Sequence, residues 1–133
     1  MNNKLFKVTM KVDSNNFTNE QFEKALELKV ISIGLTTGEN HAKNLRKGDY
    51  FYLQKNSNEI ILIGQVISEN WEISNEIREN DRIRKYKVIY NKSKEGFHTF
   101  ETKDLIGWMP SGQTTIFEIP KNDYSVFEEK ILK

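Results

Sequence analysis

The chain has no cysteine, and only two prolines, two histidines and two tryptophans in 133 residues. Without cysteine there is no disulfide, no thiol nucleophile and no cysteine-ligated zinc. Neither sign of charge is in excess: 20 Lys and Arg stand against 19 Asp and Glu, a formal net charge of +1. Bulk charge therefore points to no polyanionic partner, and any phosphate contact must come from a local basic cluster. No apolar run is long enough for a signal sequence or a membrane span. The expectation is a cytoplasmic protein, or a domain cut from one, with no membrane contact. His41 and His98 are far apart, lack ligand-like neighbours at metal spacing, and read as surface or hydrogen-bonded structural groups. No metal and no cofactor are expected. The phosphate loop, the nucleophile elbow, the zinc-protease helix and the dinucleotide fingerprint are all missing. Carboxylates are plentiful, but nothing singles out a pair whose surroundings keep one protonated and the other charged. A binding module rather than an enzyme is expected.

What is present suits one folded domain over residues 1–133: 37% hydrophobic and 29% charged residues, enough for a core under a solvated surface. Residues 4–12 alternate as an edge strand should, with Phe6, Val8, Met10 and Val12 on one face. Thr18 and Gln21 have the spacing of a capping box ahead of a helical stripe of Phe22, Ala25 and Leu26. KVISIGL (29–35) reads as a buried strand, and a short helix through Ala42 and Leu45 stops at Lys47-Gly48-Asp49. YFYLQ (50–54) and EIILIGQVISE (59–69) form the strongest hairpin signal. Gly64 inside the second run suggests a bulge or a close approach. Tyr50 and Tyr52 should face one side of their strand and Phe51 the other. RIRKYKVIYN (82–91) is a long strand, TTIFEIP (114–120) the last, and NDYSVFEEKIL a terminal helix capped by Asn122 or Asp123 with Tyr124, Phe127 and Ile131 inward. The sum is an α+β fold: a small curved mixed sheet or barrel of about five or six strands with short flanking helices.

The scarce tryptophan Trp108 sits in a Gly/Pro-broken stretch, GWMPSGQTTIFEI (107–119), where it either plugs the end of a core or walls a pocket. The second tryptophan, Trp71, opens the polar stretch 70–82 and lies either on the sheet surface or at a pocket. Basic residues cluster at Lys43, Arg46 and Lys47 and again at Arg78, Arg82, Arg84, Lys85 and Lys87, where they are either a solvated face or phosphate contacts.

The order of parts resembles the EVE/YTH branch of the PUA-like superfamily. A short helix feeds a basic-x-Gly-Asp-aromatic strand start, Arg46-Lys47-Gly48-Asp49-Tyr50-Phe51-Tyr52. A glycine-bearing strand, Ile61-Leu62-Ile63-Gly64-Gln65-Val66-Ile67-Ser68, comes next. The resemblance covers roughly residues 28–133, with 1–27 either a local elaboration or part of the same sheet. It implies a nucleic-acid reader that flips a modified base into an aromatic pocket. Carried onto this chain, it implies stacking walls at Trp108 and Trp71, with Leu35, Thr36 and Tyr52 at the pocket and edge hydrogen bonds from Ser111 and Gln113. Within the basic clusters, the residues taken as phosphate contacts are Lys43, Arg46, Arg82 and Arg84. The chain departs from the family at Leu35, where readers of N6-methyladenine often carry a tryptophan. That departure points to another base, such as a 5-substituted cytosine, or to a less selective pocket. The resemblance further implies DNA ahead of RNA as partner, a role like that of the N-terminal readers of McrB-type modification-dependent restriction systems, and a larger nuclease or NTPase effector. The alternative expectation is a protein-interaction or scaffold module. An enzyme acting on a small nucleobase through a carboxylate ranks last.

Overall fold

β-branched and aromatic runs build a seven-stranded mixed sheet: β1 Leu5–Met10, β2 Val30–Ile33, β3 Tyr50–Lys55, β4 Glu59–Val66, β5 Glu72–Ser74, β6 Asp81–Asn91 and β7 Ile116–Glu118. The computed structural model describes residues 1–35, 39–55, 59–91 and 115–132. The strand order is β2-β6-β4-β3-β1-β7, and β5 pairs with β6. Among the described strands only β1 and β3 run parallel; the other pairs are antiparallel. The sheet curls into a half-barrel, an α+β fold as expected. No helix among the described residues is long and apolar enough to cross a membrane.

Alternation along β3 divides the core in two. Phe51 and Leu53 join Phe6, Val8, Ile31 and Tyr86 in one cluster. Tyr52, on the opposite face, joins Leu5, Ile63, Tyr124 and Phe127 in a second, with Tyr50 packed against them. The expected edge strand at residues 4–12 is corrected by the sheet. β1 is interior, between β3 and β7, and all six of its residues are buried.

The helices follow their capping chemistry. α1 (Asn19–Leu28) opens on Thr18, whose Oγ1 accepts the Gln21 N–H at 3.1 Å, while Gln21 Oε1 accepts the Thr18 N–H at 2.9 Å. Lys29, at φ 55°, ends it. The terminal helix α3 (Ser125–Lys130), which follows the short α2 (Glu39–Ala42), lacks the expected cap from Asn122 or Asp123. A 3-10 turn over Lys121–Asp123 runs straight into it, so neither side chain reaches its first turn. Tyr124 is buried instead, and its hydroxyl accepts the Leu5 N–H at 3.1 Å.

The Lys47-Gly48-Asp49 turn sets the register of the parallel pair. Gly48 has φ +93°, a left-handed conformation that favours glycine. Asp49 is buried, and its carboxylate works on both sides. Oδ1 accepts the Lys4 N–H at 2.9 Å, and Oδ2 accepts the Arg46 N–H at 2.8 Å. The start of β1 is thereby tied to the start of β3, where Tyr50 N–H donates to the Lys4 carbonyl at 2.9 Å.

Gly64 is both a bulge neighbour and a close approach. The β4–β6 register shifts between Ile63 and Gly64, from Tyr90 to Val88, which bends the sheet. A Cβ on Gly64 would stand 2.5 Å from Phe51 Cζ and 3.0 Å from Tyr86 Cδ2. Those two rings meet edge to face with centroids 5.0 Å apart. Gly64→Ala is therefore expected to force them apart at a cost of about 2 kcal/mol. The check is a lowered urea midpoint at unchanged slope; an unshifted midpoint would show that the rings yield freely.

Candidate functional site

The site is built on three strands at the β2 side of the sheet. In the β2–β6–β5 ladder, Ile33 and Ile73 both sit opposite Arg82, and Ile31 sits opposite Arg84. Cross-strand partners share a face, so Arg82 and Arg84 lie beside core isoleucines rather than on an open strand surface. Trp71 immediately precedes β5 and shares the parity of Ile73. Its ring accordingly lies near both guanidinium groups, 5.7 Å from Arg82 and 5.6 Å from Arg84.

Trp71 is partly buried and fixed at its edge, where Nε1–H donates to the Ala42 carbonyl at 3.0 Å. Ala42 ends α2, which is anchored on its other side by His41. The His41 Nδ1 accepts the Glu118 N–H at 3.0 Å, and its ring stacks on Phe117 with centroids 5.2 Å apart. His41 is thus the hydrogen-bonded structural histidine that its sequence context suggests. Leu35, just past β2, is 49% exposed, and Ile73 is 68% exposed. Both expose apolar surface at the margin of the β2–β6–β5 ladder.

The two arginines expected at phosphates are drawn into the fold. Arg84 is 3% exposed. Its Nη1, Nη2 and Nε donate to the carbonyls of Leu45, Glu69 and Ser68 at 2.8, 3.0 and 3.1 Å. Burial pulls its pKa down, and the carboxylates of Asp49 and Glu69 oppose that pull. Such a guanidinium braces two connections and presents nothing to a phosphate. Arg82 is half-buried, and its Nε and Nη2 both donate to the Gly34 carbonyl, at 3.1 and 3.0 Å. Lys43 and Arg46 remain exposed on the α2–β3 connection, beside Ala42 and Leu45.

Tyr52 does not reach this site. It is fully buried on the other face of the sheet, and burial pushes its phenol pKa upward. The residue is apolar packing there, because β3 is an interior strand covered on both faces. Trp108, Ser111, Gln113 and Thr36 lie outside the described residues.

Beyond Gly34 the site continues as a polar cleft of about 80 Å³ between the ends of β1, β2 and β7. Thr9, Lys11, Asn16, Ser32, Arg78 and Thr115 line it. Arg78 was legible in the sequence only as one more cation in a mixed-charge loop. Its partners, Phe17 and Asp81, are far apart in sequence, and the one available signal was the i,i+3 spacing to Asp81.

No family model matches the chain, and no curated protein matches it in sequence. Solved structures do match in shape. The YTH domain-containing protein mmi1, in complex with RNA, superposes on 96% of this chain and 82% of its own, with a TM-score of 0.50 at 13% identity. The fold is YTH-like. Also similar in shape are the Mmi1 YTH domain in another structure, with a TM-score of 0.48 at 10% identity over 93% of this chain and 91% of its own. The protein Atu2648 from Agrobacterium tumefaciens matches with a TM-score of 0.46 at 12% identity, over 95% of this chain and 92% of its own. The described parts of the site are Trp71, its two guanidinium neighbours, exposed Leu35 and Ile73, and the adjoining cleft.

Proposed function

We propose that the chain is a reader of nucleic acid carrying a modified base, with Trp71 as a stacking surface for a flipped or single-stranded base. The observation that carries this reading is the mounting of Trp71. Its N–H is held by Ala42, two guanidinium groups stand over the ring at 5.6–5.7 Å, and the same strand ladder exposes apolar Leu35 and Ile73. A base stacked on a pre-set indole loses little freedom in the protein, and such stacking contributes about 1–3 kcal/mol. The YTH-like fold, seen with RNA in a neighbour, supports a nucleic-acid partner. Trp108 and Thr36 would complete the pocket, Ser111 and Gln113 would supply edge hydrogen bonds, and Lys43 and Arg46 would meet the backbone phosphates. Binding without catalysis is the proposed activity. As finer proposals, the strand is DNA and the chain serves a modification-dependent restriction or defence system, acting with a larger nuclease or NTPase.

The test is fluorescence anisotropy against single-stranded DNA and RNA carrying methylated, hydroxymethylated or glucosylated bases, with plain controls. Trp71→Ala is expected to weaken the preferred modified strand about 5- to 150-fold, the stacking range just given, while plain strands change less. Equal affinity of the wild-type protein for modified and plain strands would end this reading.

A second reading, docking of another protein on this face, is favoured by the exposure of Leu35 and Ile73. Salt separates the two. Affinity for a strand falls steeply as ionic strength rises, whereas an apolar protein contact holds.

A further inference from the structure

The cleft beside Gly34 contains a guanidinium that the fold immobilises without using up its donors. Arg78 Nε–H donates to Asp81 Oδ2 at 2.6 Å, and the same oxygen accepts the Ser32 hydroxyl at 2.8 Å. Asp81 is itself 4% exposed, so this anchor is rigid. The face of the guanidinium lies over the Phe17 ring, 3.7 Å from its centroid. One edge and one face are therefore occupied. Nη1 and Nη2 donate to none of the described residues, and the side chain keeps 24% of its exposure.

The cleft's charge and size select what those donors meet. Among the described residues Lys11 and Arg78 line it, and the nearest carboxylate in the network is that of Asp81, already engaged by Arg78 Nε and Ser32. Its 80 Å³ is more than a single water needs. A tetrahedral oxyanion suits that polar lining. An arginine fork matches two oxygens of one phosphate in geometry as well as charge.

We propose that this cleft is a phosphate-binding site in which Arg78 Nη1 and Nη2 donate to two oxygens of a single phosphate group. The Asp81 anchor and the Phe17 ring hold the fork in place before the ligand arrives, which lowers the entropic cost of binding. The phosphate is either part of a nucleic-acid strand or free in solution. Gly34 joins the cleft to Trp71 through Arg82, so a bound strand would meet both places. The inference extends beyond base reading and stands without it.

Calorimetric titration with inorganic phosphate, and anisotropy with thymidine oligonucleotides bearing or lacking a 5′-phosphate, test it in two arms. Arg78→Gln is expected to weaken whichever ligand binds by tenfold or more. For a strand it should also reduce the slope of log affinity against log salt by about 1. Trp71→Ala should leave that slope unchanged. Arg78→Lys keeps the cation over Phe17 but loses the fork, and a several-fold loss is expected with an unchanged urea midpoint. If phosphate alone binds and depends on Arg78, the site stands and strand reading fails. If strands bind with an affinity and slope indifferent to Arg78→Gln, the phosphate site is overturned and strand reading stands. Should Arg78→Gln prove unfolded, wild-type affinity in Arg78→Lys would overturn it equally. Failure of the wild-type protein to bind either ligand would also overturn it.

Discussion

Arg84→Met is expected to destabilise the protein by about 3 kcal/mol, in the range for breaking a buried charged network. The substitution preserves much of the side-chain volume, so the loss reports hydrogen bonds rather than a cavity. Three carbonyls, of Leu45, Ser68 and Glu69, lose their shared donor at once. The gain from no longer burying a cation offsets part of that, which is why the figure is not larger. The urea midpoint should fall at constant slope, and the melting temperature should drop by roughly 10 °C. The same variant carries a functional consequence. Arg84 lies against Trp71 and holds Leu45, three residues after the carbonyl that fixes the indole. Loosening this brace should broaden the tryptophan emission of the folded protein before it unfolds. An unchanged midpoint would show that water replaces the guanidinium without cost.

The second large effect is expected at Asp49. Asp49→Ala strands the Lys4 and Arg46 N–H groups and deprives Arg84 of a neighbouring negative charge. Two charge-assisted bonds at about 1.5 kcal/mol or more each put the loss near 3 kcal/mol. Asp49→Asn discriminates the cause. It retains the size but only one accepting oxygen, and its amide would face one of two N–H donors, so it should cost nearly as much as alanine. A mild Asn variant would show that shape, not the carboxylate, sets the turn. Combined with Arg84→Met, the losses should be less than additive by 0.5 kcal/mol or more, because the two residues share one electrostatic environment.

Much of the local structure was legible along the chain. Thr18 and Gln21 form the capping box that their spacing announces, since both partners lie within one turn. Asp49 braces its turn as short-range side-chain chemistry suggests, although its bond to Lys4 reaches 45 residues back. Gly64 marks a bulge and a ring contact because little else explains a glycine inside an apolar strand. The alternation of Tyr50, Phe51 and Tyr52 gave their two faces, but not that both faces are buried.

The site was less legible. Charge type suggested phosphate contact for Arg84, yet its burial depends on carbonyls from two distant connections converging on one point. Arg78 offered no more than its sign, and the ring beneath it comes from Phe17, on the far side of α1.

Composition and spacing alone therefore determined the class of fold, the capping box of α1, the turn at Gly48 and the absence of cysteine chemistry. These depend on residues a few positions apart, or on residues that do not occur at all. The tertiary structure decided that β1 is interior and parallel to β3, which arginine is a brace and which a donor with capacity left, and that Trp71 is mounted on α2. Each of those outcomes depends on which segments meet across tens of residues, and no local preference encodes that meeting.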